Sequence, residues 1–541
     1  MNFKIVCLCV TFYMSIALAE NELIVETSLG KIKGSILKTS KNHEFKAFRG
    51  IRYAQPPVGD KRFKAPVSVT KWPSENILDA TKDGNICPQP RYPNEIMSED
   101  CLVLNVYTHD VRVNKPVMVY IHGGSNFLGT GNSQSEAGPD LLMNQDIVLV
   151  TMNYRLGALG FLSTKNSDAP GNYGYLDQVM ALQWVQDHIS NFGGNPKSVT
   201  IFGMSAGGMA VTLHMASPLS KGLFHRAIAM SGSATSHFTV DNVGWTRKLA
   251  YLVGCPMYNS KDIVDCLRNV SWEKVIEACK TYEPYGFIDV KWNYEVDGHF
   301  LMDTPTNVFA RGEFNKVPLM AGITKDELTY FNIYQHATNK GFLNDLSVNF
   351  DKYAPDIFTF ALEKNAAEKS KQIQKFYLKD KLIQDQPFSN FGEIFSDAII
   401  GHGIYRLVHL ARKYVDVYYY RFDYEGKFSL FPDENGKPRG VLHADDLQYI
   451  FYFDLIPSTD ESDIFMAERI GNWWASFAKT GAPSDIEGIK WLPSTRKSVH
   501  TMYNDKEIRL GEEPFLDRYA LWDELFPVEN SVKRNLKNDE L

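Results

Sequence analysis

Short apolar runs recur along the chain at intervals. They lie at Val117 to Ile121, Ile147 to Met152, Val199 to Phe202, Ala227 to Met230, Val317 to Ala321 and Val415 to Arg421. Each has the length and composition of a strand buried on both faces. Between them the period changes. Leu176, Val179, Met180, Leu182 and Val185 fall largely on one face of a helix over Leu176 to Ile189. Ile470, Trp473, Trp474 and Phe477 do the same over Ile464 to Lys479. Strands alternating with helices predict an α/β fold with a large, mostly parallel central sheet flanked by helices. In such folds the chemistry sits beyond the carboxyl ends of the strands, so the residues after each strand matter most.

Composition narrows the class. The 541 residues carry 57 Lys and Arg against 64 Asp and Glu, with 44% hydrophobic residues. This is globular composition, and the mild acidity argues against a nucleic-acid partner, which needs a basic stripe. Lys4, the apolar stretch Ile5 to Leu18 and Ala17-Leu18-Ala19 predict a cleaved signal peptide over 1–19. No other segment is long and apolar enough to span a bilayer. No linker, repeat or low-complexity tract interrupts residues 20–527, which predicts one domain followed by a polar tail over 528–541. The tail ends Asn538-Asp539-Glu540-Leu541, close to the Lys-Asp-Glu-Leu retrieval signal, and predicts retention in the endoplasmic reticulum lumen, or else secretion. An oxidising lumen permits disulfides. Cys87 and Cys101, and Cys255 and Cys266, are close pairs that could close short loops, which leaves Cys279 over. Asn269-Val270-Ser271 is a glycosylation sequon. No metal-ligand spacing or phosphate-binding loop occurs, and no cofactor is expected.

Two post-strand segments carry chemistry. After the strand ending near Phe202 comes Gly203-Met204-Ser205-Ala206-Gly207-Gly208, then an apolar helical stretch. Gly-x-Ser-x-Gly between strand and helix is a nucleophile elbow: a sharp turn exposes the serine Oγ, and the helix N-terminus aims N–H groups at developing negative charge. After Val117 to Ile121 comes His122-Gly123-Gly124-Ser125-Asn126-Phe127, similar to the His-Gly-Gly-Gly loop whose backbone N–H groups form an oxyanion hole. The donors expected are Gly124, Ser125 and Ala206. His122 reads as a loop-supporting residue. For the acid, Asp326 and Glu327 both follow Val317 to Ala321, and the residues alone do not separate them. Among the later histidines, His409 reads as packing, and His402, flanked by glycines, competes with His443.

Taken in order, these motifs resemble the type-B carboxylesterases, the cholinesterase-like branch of the α/β-hydrolases, and are most like insect esterases. The resemblance covers nearly the whole mature chain. Phe48-Arg49-Gly50-Ile51-Arg52-Tyr53-Ala54, Ser98-Glu99-Asp100-Cys101-Leu102-Val103-Leu104-Asn105-Val106, Asn153-Tyr154-Arg155-Leu156-Gly157, Gly171-Asn172-Tyr173-Gly174 with Asp177-Gln178, and Phe192-Gly193-Gly194-Asn195-Pro196 carry it, with the elbow. It implies a triad of Ser205, Glu327 and His443, a supporting Ser231, and disulfides Cys87–Cys101 and Cys255–Cys266. It implies a serine esterase that turns a small-molecule ester into an alcohol and a carboxylate through an acyl-enzyme.

Several positions depart from the family pattern. Met204 replaces the Glu or Gln common beside the nucleophile, and the Cys87–Cys101 loop lacks the Trp that binds choline, so neutral, fairly apolar esters are expected. Ser125-Asn126 replaces Gly-Phe, which weakens the third oxyanion donor. Leu328 and Ala444 replace glycines and read as tolerable. The competing readings are a slow-turnover sequestering protein and a non-catalytic binding protein.

Overall fold

The computed structural model describes residues 23–72, 77–280, 292–330, 340–379, 381–451 and 460–528. The predicted signal peptide and the tail beyond residue 528 lie outside the described residues. Eleven strands form one sheet: β1 (Ser35–Lys38), β2 (Glu44–Arg52), β3 (Val103–Thr108), β4 (Lys115–Ile121), β5 (Val148–Met152), β6 (Gly194–Met204), β7 (Arg226–Met230), β8 (Leu319–Thr324), β9 (Val417–Phe422), β10 (Thr501–Asn504) and β11 (Ile508–Gly511). Their spatial order is β11-β10-β9-β8-β7-β6-β4-β5-β3-β2-β1. Pairings from β5 across to β10 are parallel, and those at both edges are antiparallel. A separate three-stranded sheet joins Ile24–Thr27, Gly30–Lys33 and Ile77–Asp79.

Alternation within the central strands explains the two cores. Along β4, Val117, Val119 and Ile121 point into one apolar cluster, and Met118 and Tyr120 into the other. Along β7, Ala227 and Ala229 oppose Ile228 and Met230 in the same way. Both faces are buried, so these strands read as unbroken apolar runs. The first face is covered by α1 (Tyr173–His188) and α2 (Ala206–Ala216), through Leu182, Val185, Val211 and Leu213. The second is covered by α4 (Glu461–Thr480), through Trp473, Trp474 and Phe477. Helix α3 (His402–Ala411) also packs in the first cluster, with α5 (Leu516–Leu525) beside it.

Strand β8 is displaced from its expected bounds. The run Val317 to Ala321 predicts an end at Ala321, yet β8 starts at Leu319 and continues through Gly322-Ile323-Thr324. Those three residues pair in register with Tyr420, Arg421 and Phe422 of β9, so hydrogen bonding to a neighbour extends the strand past its apolar run. Both expected disulfides are present, Cys87–Cys101 and Cys255–Cys266. Among the described residues no helix is long and apolar enough to cross a membrane.

Candidate active site

The sheet's register gathers the candidate residues at the carboxyl end of its central strands. Ile121 pairs with Gly203, Met204 with Met230, and Met230 with Gly322. The segments after β4, β6, β7 and β8 therefore emerge side by side, carrying His122 to Asn126, Ser205, Ser231 and Glu327.

Ser205 is the residue between β6 and α2, with φ 60° and ψ −124°. A non-glycine residue held there is strained by roughly 1–3 kcal/mol. Its own N–H holds the turn by donating to the Met230 carbonyl at 2.8 Å. Close packing allows no side chain on the neighbouring turn: a Cβ at Gly232 would lie 1.9 Å from the Ser205 carbonyl oxygen. Helix α2 is apolar and buried along its length, so packing on all sides fixes the direction of its N-terminus.

The glycine loop after β4 adjoins Ser205, since a Cβ at Gly123 would stand 3.1 Å from the Ser205 Cβ. Gly124 has φ +105°, and a Cβ there would meet the Leu128 carbonyl at 2.3 Å, so glycine is required. Among the described residues, the N–H groups of Gly124, Ser125 and Ala206 donate to no protein acceptor. Three unspent backbone donors beside a strained serine are the makings of an oxyanion hole. Ser125 (φ 54°) and Asn126 (φ 58°) hold consecutive left-handed conformations. The Asn126 side-chain amide, wholly buried, secures them by donating to the Tyr175 hydroxyl at 2.8 Å and the Trp292 carbonyl at 3.1 Å. Gln89 exchanges two hydrogen bonds of 2.8 Å with the backbone of Gly129 at the far end of the loop. His122 is buried, stacked on Tyr154 at 4.3 Å, and burial pushes its imidazole pKa down. Its carbonyl accepts from the Tyr154 hydroxyl at 2.7 Å, which fits a supporting place in the loop.

Glu327 and Asp326 separate cleanly. The His443 Nδ1 lies 2.7 Å from Glu327 Oε2, and the His443 backbone N–H donates to the Glu327 carbonyl at 2.8 Å. The Thr324 N–H donates to Glu327 Oε1 at 2.8 Å, so both carboxylate oxygens are held. With Glu327 as a carboxylate, Nδ1 carries the proton and Nε2 presents its lone pair. Asp326 Oδ2 instead accepts from the Val441 N–H at 2.9 Å and braces the loop that carries His443. His402 lies elsewhere, on α3, where its Nε2 meets Asp523 Oδ1 at 2.9 Å and burial pushes its pKa down to about 4. His409 pairs with Glu513 at 2.9 Å. Ser231 is buried after β7, and among the described residues its Oγ reaches no partner, Glu327 included.

Two replaced glycines fare differently. Leu328 is buried in the core and packs without strain. Ala444 has φ 71°, the left-handed region that favours glycine, so this replacement carries a backbone cost of roughly 1–2 kcal/mol that its size alone does not suggest. Asn269 is exposed at the end of its helix, and its Nδ2 donates to the Asp265 carbonyl at 2.9 Å.

The motifs between the chemical segments are scaffold. Arg155 makes a buried two-pronged pair with Asp177, at 2.8 and 2.7 Å. Glu99 pairs with Arg62, and Asp100 with Arg52, just before Cys101 in the Cys87–Cys101 loop. Sequence reasoning also missed Asp446 at the site. It is buried, accepts from the Tyr420 hydroxyl at 2.9 Å, and among the described residues its other oxygen has no partner. Burial, then the neighbouring Glu327 charge, pushes its pKa up to about 7. The folded chain thus keeps a proton that the unfolded chain gives up near pH 4. Stability contributed by this group falls as pH rises from about 4 to about 7 and stays low above. Asp446→Asn removes that loss. Its melting temperature relative to wild type is expected to rise between pH 5 and pH 8, and equal differences at both would refute the assignment.

The sequence model of the Carboxylesterase family matches residues 21–522. Esterase FE4 of Myzus persicae is 37% identical over 506 residues, covering 88% of each chain. Juvenile hormone esterase of Tribolium castaneum is 35% identical over 508 residues, 86% of this chain and 85% of its own. Acetylcholinesterase of Danio rerio is 31% identical over 615 residues, 99% and 93% respectively. The chain therefore belongs to the carboxylesterase family, an α/β-hydrolase whose chemistry is ester hydrolysis.

Proposed function

We propose that this protein is a serine carboxylesterase that hydrolyses neutral, fairly apolar esters through an acyl-enzyme on Ser205. The carrying observation is the Glu327–His443 bond of 2.7 Å at the same end of the central strands as a strained Ser205 and three unspent N–H donors. His443 Nε2 takes the Ser205 Oγ proton as Oγ attacks the ester carbonyl carbon. Gly124, Ser125 and Ala206 donate to the resulting oxyanion. Glu327 holds the imidazole in the working tautomer and stabilises the imidazolium. His443 then protonates the leaving alcohol, and a water that it deprotonates releases the carboxylate. Met204 beside the nucleophile and the absence of Trp between Cys87 and Cys101 support a neutral acyl and alcohol rather than a cationic one.

The apolar N-terminus and the two disulfides support entry to the secretory pathway as one catalytic domain over 20–527, with the Asn-Asp-Glu-Leu tail acting in retention and Asn269 accepting glycan. The activity is tested with para-nitrophenyl butyrate and butyrylthiocholine on purified protein, beside labelling by a fluorophosphonate. The expected result is rapid turnover of the neutral ester, weak turnover of the choline ester, and one label per chain on Ser205. Labelling with a burst and almost no further turnover would replace hydrolysis by sequestration, and neither labelling nor turnover would make the protein a non-catalytic binder.

A further inference from the structure

At the opposite end of the central strands, before the first residues of β8 and β9, lies a shallow cleft of about 600 Å³. Strands of this length put it roughly 20 Å from the residues at their carboxyl ends. Its lining includes five cations, Lys316, Arg412, Lys413, Arg496 and Lys497, and one carboxylate, Asp416. Among the described residues none of the five forms an ion pair, although the chain as a whole carries a net charge of −7. Five cations against one carboxylate in one place make a local positive potential on a chain that is acidic as a whole.

The walls are built rather than loose. Arg496 Nε donates to the Lys413 carbonyl at 2.7 Å, and the Arg412 guanidinium donates to the Thr495 carbonyl, so each wall is tied to the other. With Nε anchored, the two Nη groups of Arg496 donate to no described acceptor and remain for a ligand. A guanidinium fixed in this way matches the paired oxygens of a phosphate or sulfate. Lys316 is steadied over the Tyr414 ring at 5.3 Å.

We infer that this cleft binds a small polyanion bearing several phosphate or sulfate groups, at a site separate from the esterase centre. Its volume suits a compact ligand. A bilayer surface is the poorer fit, because none of the lining residues is an exposed large apolar side chain that could enter lipid.

The probe is inorganic tripolyphosphate, titrated calorimetrically into the full chain at low ionic strength. Lys316→Glu/Lys497→Glu is compared with a control of equal net charge, Lys364→Glu/Lys375→Glu, both residues being exposed and remote in sequence from the cleft. Fluorophosphonate labelling of Ser205 and the melting temperature check folding in each. The expected result is one tripolyphosphate per chain, weakened by rising salt, with affinity reduced roughly tenfold or more in the cleft variant and little changed in the control. If the cleft variant melts early, Arg496→Gln takes its place with the same expectation. Equal weakening in both variants would reduce the effect to net charge and overturn the site, as would absence of binding. Sedimentation of wild type with phosphatidylserine vesicles in the absence of tripolyphosphate binding would replace the small polyanion by a membrane surface.

Discussion

Ser205→Ala, His443→Ala and the double variant are each expected to lose roughly 10⁶ of kcat toward a neutral ester, with the double no worse than either single. The reason is that the serine and the base act in one step. Without His443 the Oγ proton has no acceptor, and without Ser205 the imidazole has nothing to activate. Glu327→Gln is expected to lose less, roughly 10⁴, because the amide can still meet Nδ1 but favours the tautomer with its proton on Nε2. The second hold on Glu327, the Thr324 N–H at 2.8 Å, keeps the side chain in place in that variant, so the loss reports protonation rather than disorder. A residual of roughly 10³ over water is expected in every variant, supplied by the oxyanion donors and binding. Multiplicative losses in the double variant would refute a single triad. An undiminished Asp326→Asn variant is expected alongside, since Asp326 bonds to the Val441 N–H and not to the imidazole.

That last distinction marks where the sequence stops being legible. Gly-x-Ser-x-Gly and the glycine loop after β4 can be read directly, because each is contiguous and its chemistry needs small residues next to one another. Asp326 and Glu327 are adjacent carboxylates, and only the backbone decides between them. Glu327 at φ 36° turns its side chain toward His443, while Asp326 closes the neighbouring turn. The resemblance places the acid on Glu327, but the residues alone do not. Asp446 and Asn126 are harder still. Their partners stand 26 and 166 residues away, at Tyr420 and Trp292, so no local pattern announces them. The central strands were legible because they are apolar on both faces. The edge strand β1, with Ser35 and Lys38 among its four residues, exists through pairing with β2 and leaves no such run. Ala444 shows the converse: its small size reads as harmless, and the cost lies in a dihedral that sequence does not display.

Asn126→Ala is expected to lower kcat by roughly 10²–10³ with little change in KM, the loss typical of removing one oxyanion donor. Asn126 touches no reacting atom in this mechanism. It acts by holding Ser125, whose left-handed backbone aims an N–H that would otherwise turn away. Two consecutive non-glycine residues in that conformation cost roughly 1–2 kcal/mol each. The bonds to the Tyr175 hydroxyl and the Trp292 carbonyl, with the Gly157 N–H donating to the Asn126 carbonyl at 2.7 Å, oppose that cost. Remove the amide and the loop is free to relax toward right-handed backbone. The ester would still bind, because the ground-state carbonyl asks little of the donors, but the tetrahedral oxygen would lose one. The same factor is therefore expected in the affinity for a trifluoromethyl ketone, which forms an oxyanion on Ser205, and not in the KM for the ester. Asn126→Asp keeps the shape and loses the donors, and it sets a carboxylate against the Trp292 carbonyl, so it is expected to be at least as damaging as alanine. A change in melting temperature with unaltered kcat and inhibitor affinity would reduce Asn126 to packing and return the oxyanion hole to Gly124 and Ala206 alone.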